Sequence, residues 1–178
     1  LGANPTVVFR QVILPLIDWA DVVLENFSPG TMAGFGLDYE ALKARKPGIV
    51  MVSGSVYGQT GPFAREWGVD GTGAALSGRL ALTGWPDRDP VTPSAVPYGD
   101  VVLPPFMAGA AAAALDHARR TGEGCHIDAS MYEACVQQMR QAITGERAAE
   151  RTGNADPHFA YQAVLPTAGA DRWIAVSC

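Results

Sequence analysis

A continuous run of apolar residues, Ile49-Val50-Met51-Val52, constrains the fold of this chain more than any other feature. A strand that is apolar throughout is typical of a parallel sheet covered on both faces, whereas antiparallel strands often alternate apolar and polar residues. The preceding residues predict a helix over 6–19, a strand over 21–25 and a helix over 39–45 that Asp38 caps. This order of helix, strand, helix and strand indicates an α/β fold.

The same pattern continues to about residue 144. Further helices are predicted over 70–82, 100–120 and 130–144, and one short extended piece over 125–129. A polar, irregular stretch follows, and a strand is predicted close to the end of the sequence. We therefore expect one domain over 1–144, a linker over 145–170 and the start of another domain over 171–178.

Composition limits the function classes. The 178 residues are 48% hydrophobic and 17% charged, which suits a packed core, and the net charge is −5. No run of Lys and Arg interleaved with aromatic residues is present, so no nucleic-acid partner is expected. Three scattered cysteines without a CxxC pair predict reduced thiols in a cytoplasmic protein. No His, Cys and Asp spacing resembles a metal site.

Two features of the chain bear on its surroundings and completeness. The longest apolar run, 101–115, contains two prolines and is shorter than a membrane-spanning helix, so we expect a buried helix and no membrane partner. The sequence starts at Leu1 without a Met and stops inside a predicted strand. Both ends predict that the 178 residues are a fragment.

Asp100 is the strongest candidate for chemistry. It follows the loop residues Pro97, Tyr98 and Gly99 and starts the predicted helix over 100–120. Free backbone N–H groups and the positive end of the helix dipole stabilise a carboxylate at such a junction. That carboxylate can be a nucleophile, a base or only a helix cap, and a lone junction Asp is more often a cap. The residue types alone leave these three roles open.

Two loops that follow predicted strands are candidate binding segments. Ligands of α/β proteins bind beyond the carboxyl ends of the strands. The first loop offers the amide of Asn26 and the ring of Phe27 to a flat heterocycle. The second, around Gln59, has glycines that let the backbone approach a ligand closely. Either loop alone also fits an ordinary turn, but together with Asp100 they are expected to converge on one cleft.

A series of motifs adds a family resemblance. In chain order they are Glu25-Asn26-Phe27-Ser28-Pro29-Gly30, Leu37-Asp38-Tyr39-Glu40-Ala41-Leu42, Tyr57-Gly58-Gln59-Thr60-Gly61-Pro62, Ala75-Leu76-Ser77-Gly78, Gly99-Asp100, Arg120-Thr121-Gly122-Glu123-Gly124 and Ile127-Asp128-Ala129-Ser130-Met131-Tyr132-Glu133-Ala134. Together they resemble the class III coenzyme A transferases, the CaiB/BaiF family. The resemblance implies that 1–144 is part of a Rossmann-like large domain, incomplete here, and that 171–178 starts a smaller second domain. It also implies a homodimer whose two subunits interlock like chain links.

The resemblance also implies a reaction. Asp100 matches the family's nucleophile, which takes coenzyme A (CoA) from an acyl-CoA and passes it to an acceptor carboxylic acid through an aspartyl-CoA thioester. Asn26 and Phe27 match positions that contact CoA, and Gln59 lies in a loop near the active site. Acyl-CoA and CoA are then substrates, and no metal or permanently bound cofactor is expected.

Two other functions stay open, a racemase and a non-catalytic module. Family members that racemise 2-methylacyl-CoA use the His of a Gly-His-Asp motif as one base and an Asp as the other, but the matching triplet here is Gly68-Val69-Asp70. Val69 cannot carry a proton, which favours the transferase. A non-catalytic CoA-binding or assembly module is the other alternative, because the fragment alone is expected to be inactive.

The resemblance leaves the CoA phosphates without an assigned partner. Gly34 stands where many members carry an Arg, so phosphate binding must come from another residue. Four basic side chains are candidates that the sequence does not separate: Lys43, Arg45, Arg65 and Arg79.

Overall fold

The computed structural model describes residues 5–91, 97–145 and 150–178. The predicted domain and linker also include residues 1–4, 92–96 and 146–149, which lie outside the described residues. The helices are α1 (Pro5–Val8), α2 (Leu14–Trp19), α3 (Thr31–Gly34), α4 (Tyr39–Arg45), α5 (Asp70–Leu76), α6 (Tyr98–Thr121), α7 (Met131–Gln138) and α8 (Arg140–Ile143), with a π-helical turn at Phe9–Ile13 and a 3-10 turn at Leu80–Leu82. The strands are β1 (Val22–Glu25), β2 (Val50–Ser55), β3 (His126–Ser130), β4 (Gln162–Pro166) and β5 (Trp173–Ser177).

The first three strands form the parallel sheet that the apolar run predicts. Strand β2 lies in the middle, with β1 and β3 parallel to it on either side. Ile49 and Met51 pack on one face with Ile17 of α2 and Leu42 of α4. Val50 and Val52 pack on the other face against α6. Because alternate residues of β2 enter different apolar clusters, both faces of this strand are covered, and the predicted α/β fold is confirmed.

The predicted caps and stops form as the residue types suggest. The carboxylate of Asp38 accepts the backbone N–H of Ala41 at 2.9 Å and so caps α4. Ser130 caps α7 by accepting the N–H of Glu133 at 3.2 Å. Gly122 ends α6 with a φ of +79°, the left-handed conformation that glycine tolerates best.

Three predicted helices are interrupted. The helical segment predicted over 6–19 contains the π-helical turn just before Leu14 and Pro15. Pro15 has no N–H to continue the regular hydrogen bonding of an α-helix. The helix expected over 70–82 divides into α5 and the 3-10 turn because Gly78 takes a φ of +85°. The helix expected over 130–144 breaks into α7 and α8 at Met139.

Helix α6 differs most from the expectation of a buried helix. Leu103 is buried against α7 and Ala114 against β2, whereas Ala110 and Ala113 on other parts of the helix are exposed. Within the described residues α6 is the one helix long and apolar enough to cross a membrane, a property shared by helices that pack on a sheet. It is therefore buried along one face and not all round.

Strands β4 and β5 form a separate antiparallel pair. Strand β5 agrees with the predicted strand near the end of the sequence. Strand β4 lies inside the segment expected to be an irregular linker, so that segment is not irregular throughout. The proposed boundaries at 144 and 170 stay a prediction.

Candidate active site

A cavity of about 1080 Å³ opens at the carboxyl ends of β1 and β2. Its walls come from the loop after β1, from the end of β2, from the residues before α5 and from the first turns of α6. This is the position at which parallel α/β sheets bind ligands. Asn26, Phe27 and Asp100 all line the cavity, so the structure brings three of the four predicted site residues to one place.

Asp100 does not cap its own helix. The capping position of α6 is Pro97, and Asp100 is the third residue inside the helix. The backbone N–H groups of Gly99 and Asp100 both donate to Oδ1 of Asp70, the latter at 3.1 Å. The sequence predicted free N–H groups at this helix start. They are not free, because both are bonded to a carboxylate from another helix. Within the described residues the Asp100 carboxylate accepts no hydrogen bond, and it is exposed on the cavity wall.

The loop after β1 is held by the last residue of that strand. Glu25 is only 7% exposed, and its Oε2 accepts the backbone N–H of Phe27 at 2.8 Å. The Phe27 ring packs edge-on against Phe35 with 6.4 Å between ring centroids, and 48% of the residue stays exposed. The loop therefore presents Asn26 and Phe27 at the cavity with a fixed backbone.

Gln59 lies beside the cavity and is not part of its wall. Its backbone N–H donates to Oδ1 of Asp128 on β3 at 2.8 Å, and its side-chain amide lies 3.5 Å from Oε1 of Glu25. Gly58 permits this turn with a φ of +86°. Glu25, which lines the cavity, therefore contacts both strand-end loops. Gln59 is connected to the cavity wall by its contact with Glu25.

Ser55, at the end of β2, also forms part of the wall. Its Oγ is buried and has no hydrogen-bond partner among the described residues. A buried hydroxyl without a partner is costly, so a ligand group that bonds to it gains from the contact. The N–H groups of Phe27, Gln59, Gly99 and Asp100 are already bonded to carboxylates within the protein, which makes Ser55 a candidate donor to a ligand.

The four basic candidates for the CoA phosphates differ in the contacts that they make. Arg45 pairs with the carboxylate of Asp18 through Nε and Nη2, and Lys43 lies over the ring of Tyr39. The guanidinium of Arg79 stacks on Tyr98, 3.5 Å from the ring centroid. Arg65 lines the cavity, is exposed and makes no ion pair within the described part of the chain.

Cys135 lies close to the site but is not a second nucleophile. The residue is fully buried on α7. Burial raises the pKa of its thiol, and the negative charge of Asp70 adds to that effect, while Arg79 opposes it. The thiol form is therefore favoured, and a thiol is a poor nucleophile compared with a thiolate. Within the described ranges no three His, Cys, Asp or Glu side chains lie close enough together to hold a metal ion.

Sequence reasoning missed three residues of this site. The sequence pointed to Asp70 only as part of the Gly68-Val69-Asp70 triplet, yet the Asp70 carboxylate binds the start of α6. Glu25 and Ser55 each end a parallel strand, and polarity at such a position was the signal available.

The sequence model of CoA-transferase family III matches residues 9–178, nearly the whole chain. The chain belongs to CoA-transferase family III. The family resemblance read from the motifs is thereby confirmed.

Solved and curated relatives agree with this family III assignment. A CaiB/BaiF family protein from Brucella suis superposes with a TM-score of 0.82 at 34% identity, over 95% of this chain and 45% of that protein. The succinyl-CoA–D-citramalate CoA-transferase of Chloroflexus aurantiacus is 39% identical over 93% of this chain and 42% of its own length. The succinate–glutarate CoA-transferase of Agrobacterium fabrum is 38% identical over 90% of this chain and 41% of its own length. The family III chain thus spans about two fifths of these curated relatives.

Proposed function

We propose that the complete protein containing this chain is a CoA-transferase with Asp100 as its nucleophile. The observation that carries this proposal is the Asp100 carboxylate, exposed on the wall of the large cavity and free of hydrogen bonds within the described residues. A carboxylate that capped a helix or formed an ion pair would have to break its hydrogen bonds before it could attack a substrate. The curated relatives named above are CoA-transferases, which supports the same reaction class.

The reaction proceeds by covalent relay. An oxygen of Asp100 attacks the thioester carbonyl carbon of acyl-CoA, and the carbon–sulfur bond breaks. CoA departs as its thiolate, and an acyl-aspartyl anhydride is formed. The thiolate then attacks the Asp100 carbonyl, which releases the first carboxylic acid as its carboxylate and forms aspartyl-CoA. An acceptor carboxylate attacks the carbonyl carbon of aspartyl-CoA, the carbon–sulfur bond breaks, and a second anhydride forms between the acceptor and Asp100. The released thiolate then attacks the acceptor's carbonyl carbon, which gives the new acyl-CoA and returns Asp100 to its carboxylate form. Each step exchanges one acyl bond for another, so the energy of the thioester is kept on the enzyme.

The cavity wall supplies groups for this chemistry. Phe27 and Asn26 line the cavity, and we assign the ring of Phe27 to stacking on a heterocycle of CoA and the amide of Asn26 to hydrogen bonding with it. Arg65 is the basic candidate that lines the cavity, and we assign it to a phosphate of CoA. Ser55 Oγ is a candidate donor to the oxyanion that forms when a thioester is attacked. Gln59 is assigned a supporting role through Glu25.

The racemase alternative is weakened by two residues. Val69 occupies the position of the catalytic His and cannot exchange a proton. The neighbouring Asp70 is bound to two backbone N–H groups of α6 and is therefore not a free base. The non-catalytic CoA-binding or assembly role is disfavoured because the proposed nucleophile is held at the cavity and unpaired.

Association with a second copy in the cytoplasm is part of the proposal. Large apolar side chains next to or near the cavity are exposed, including Trp67 at 97% and Leu24 at 67%. Exposed apolar surface of this kind is typical of interaction sites. The free cysteines Cys125, Cys135 and Cys178 agree with a reducing compartment.

The test separates transfer from isomerisation. The complete protein is incubated in deuterated water with succinyl-CoA and one acceptor acid at a time (glutarate, malate or citramalate), and with chiral 2-methylacyl-CoA without acceptor. The proposal expects acceptor-dependent formation of a new acyl-CoA and no deuterium at the α-carbon. Exchange of the α-hydrogen in the absence of any acceptor would instead establish the isomerase.

A further inference from the structure

The first turn of α6 is anchored by a side chain from a different helix. Asp70 starts α5, and its Oδ1 accepts the backbone N–H groups of both Gly99 and Asp100. These residues are 29 and 30 positions away in sequence. A carboxylate that accepts N–H groups at the start of a helix stabilises that end through hydrogen bonding and through the helix dipole. Asp70 thus does for α6 what a capping residue normally does from within the same segment.

The geometry around this contact leaves little room for movement. Gly99 is buried, and a Cβ there would lie 2.5 Å from the Met131 side chain and 2.7 Å from Oδ1 of Asp70. Glycine lets α6 come close enough to α5 for the Asp70 contact to form. Next to it, the stack of Arg79 on Tyr98 holds the residue that precedes Gly99. The backbone of Asp100 is therefore fixed from two sides, while its carboxylate stays unbound within the described residues.

We propose that Asp70 is the positioning residue for the nucleophile: its carboxylate fixes the backbone of Asp100 so that the Asp100 side chain faces the acyl-CoA in the cavity. This inference rests on the proposed function, because it assigns Asp70 a role in the attack by Asp100. Asp70 itself exchanges no proton and forms no bond with substrate. A displacement of about 1 Å at a reacting group can cost on the order of 100-fold in rate, so loss of the anchor is expected to slow the attack.

Three variants of the complete protein separate positioning from charge and from general stability. Asp70→Ala removes both acceptor contacts. Asp70→Asn keeps a side-chain oxygen that can accept the same two N–H groups but removes the charge. Thr121→Ala is the matched control, because Thr121 Oγ1 bonds only to the backbone C=O of His117 at 2.9 Å and the backbone N–H of Glu123 at 3.1 Å within the described residues, at the other end of α6, and does not line the cavity.

The main readout is the single-turnover rate of CoA transfer from succinyl-CoA to Asp100, followed by mass spectrometry of the peptide that contains Asp100. We expect Asp70→Ala to slow this step about 100-fold without a change in the succinyl-CoA concentration at half-maximal rate. We expect Asp70→Asn to restore most of the rate, and Thr121→Ala to react as the wild type does. An Asp70→Ala rate equal to wild type, or an Asp70→Asn rate as low as that of Asp70→Ala, would overturn the inference.

A second measurement does not depend on the reaction. Amide hydrogen exchange of the peptide over 97–103 should be faster in Asp70→Ala than in wild type and near wild type in Asp70→Asn. Unchanged exchange in Asp70→Ala would refute the anchoring role whatever the activity. If Asp70→Ala does not fold, Asp70→Ser, which retains a shorter polar group, takes its place in both measurements with the same expectations. Absence of any adduct on Asp100 in the wild type would refute the proposed function, and the exchange result would then decide the anchoring role alone.

Discussion

The backbone N–H of Gln59 donates to Oδ1 of Asp128 at 2.8 Å, which joins the loop after β2 to the neighbouring strand β3. The hydroxyl of Thr60 lies 3.5 Å from the other carboxylate oxygen of Asp128. One carboxylate on the sheet edge therefore holds the loop that places Gln59 beside Glu25. A side chain outside the cavity thereby determines the position of a predicted binding loop.

Asp128→Ala should weaken acyl-CoA binding by the complete protein. Loss of this contact frees the loop, and a hydrogen bond worth about 1 kcal/mol corresponds to a rise in KM of about fivefold. Asp128→Asn should stay close to wild type because its side-chain oxygen still accepts the N–H of Gln59. Steady-state kinetics with succinyl-CoA check both. Asp116→Ala is the control, since its ion pair with Arg120 is exposed on α6. An Asp128→Ala variant with the wild-type KM would refute the role of this contact.

Gly99→Ala should destabilise the protein, whereas Gly109→Ala on the same helix should not. The added methyl group at position 99 would collide with Met131 and with Asp70, and overpacking of this kind costs about 1–3 kcal/mol. At position 109 a Cβ meets nothing within 4 Å, so the alanine should stabilise the helix by up to about 1 kcal/mol. Thermal or denaturant unfolding measures the difference. Equal stability of the two variants would contradict the close approach of α5 and α6.

The pair of Asp18 and Arg45 should contribute to stability at neutral pH and not in strong acid. The hydrogen bond from Arg45 is the main cause that lowers the pKa of Asp18 below its ordinary value of 3.8, with burial opposing and the charges of Arg45 and Lys46 assisting. Because the folded-state pKa is the lower one, the stabilisation is complete above the unfolded-state pKa and is lost as pH falls through the folded-state value.

Melting temperatures of wild type and Asp18→Asn test this pH dependence. The wild type should melt slightly higher at pH 7, and the difference should shrink in high salt and vanish well below pH 3.8. Both side chains are exposed, so the difference should be small. A difference that persists unchanged in strong acid would show that the pair acts in some other way.

Local chemistry explains which parts of the fold were predictable. The apolar run of β2, the cap by Asp38 and the stop at Gly122 each depend on neighbours in sequence, and each forms as predicted. Strand β4 was missed because it is almost wholly exposed and shows no apolar alternation, and its pairing with β5 is what defines it. The exposed face of α6 was missed because an Ala-rich run has no polar side to mark it.

The site was predictable where it follows strand ends. Asn26, Phe27 and Asp100 meet at one cavity because the loop after a parallel strand and the start of a helix share one edge of the sheet. The role of Asp70 toward α6 depends on two segments 29 and 30 residues apart coming together, and no local pattern encodes that contact. The functional roles of Asn26, Phe27, Gln59 and Asp100 stay predictions.

The most direct measurement is mass spectrometry of the Asp100 peptide after the complete protein meets succinyl-CoA, with hydroxylamine or borohydride to trap the intermediate. We expect modification at Asp100 in the wild type and in the control Asp116→Asn. We expect none in Asp100→Asn, whose turnover should fall roughly 10,000-fold or more. Full turnover by Asp100→Asn, or a covalent CoA adduct on a different residue, would contradict the role of Asp100 as the nucleophile.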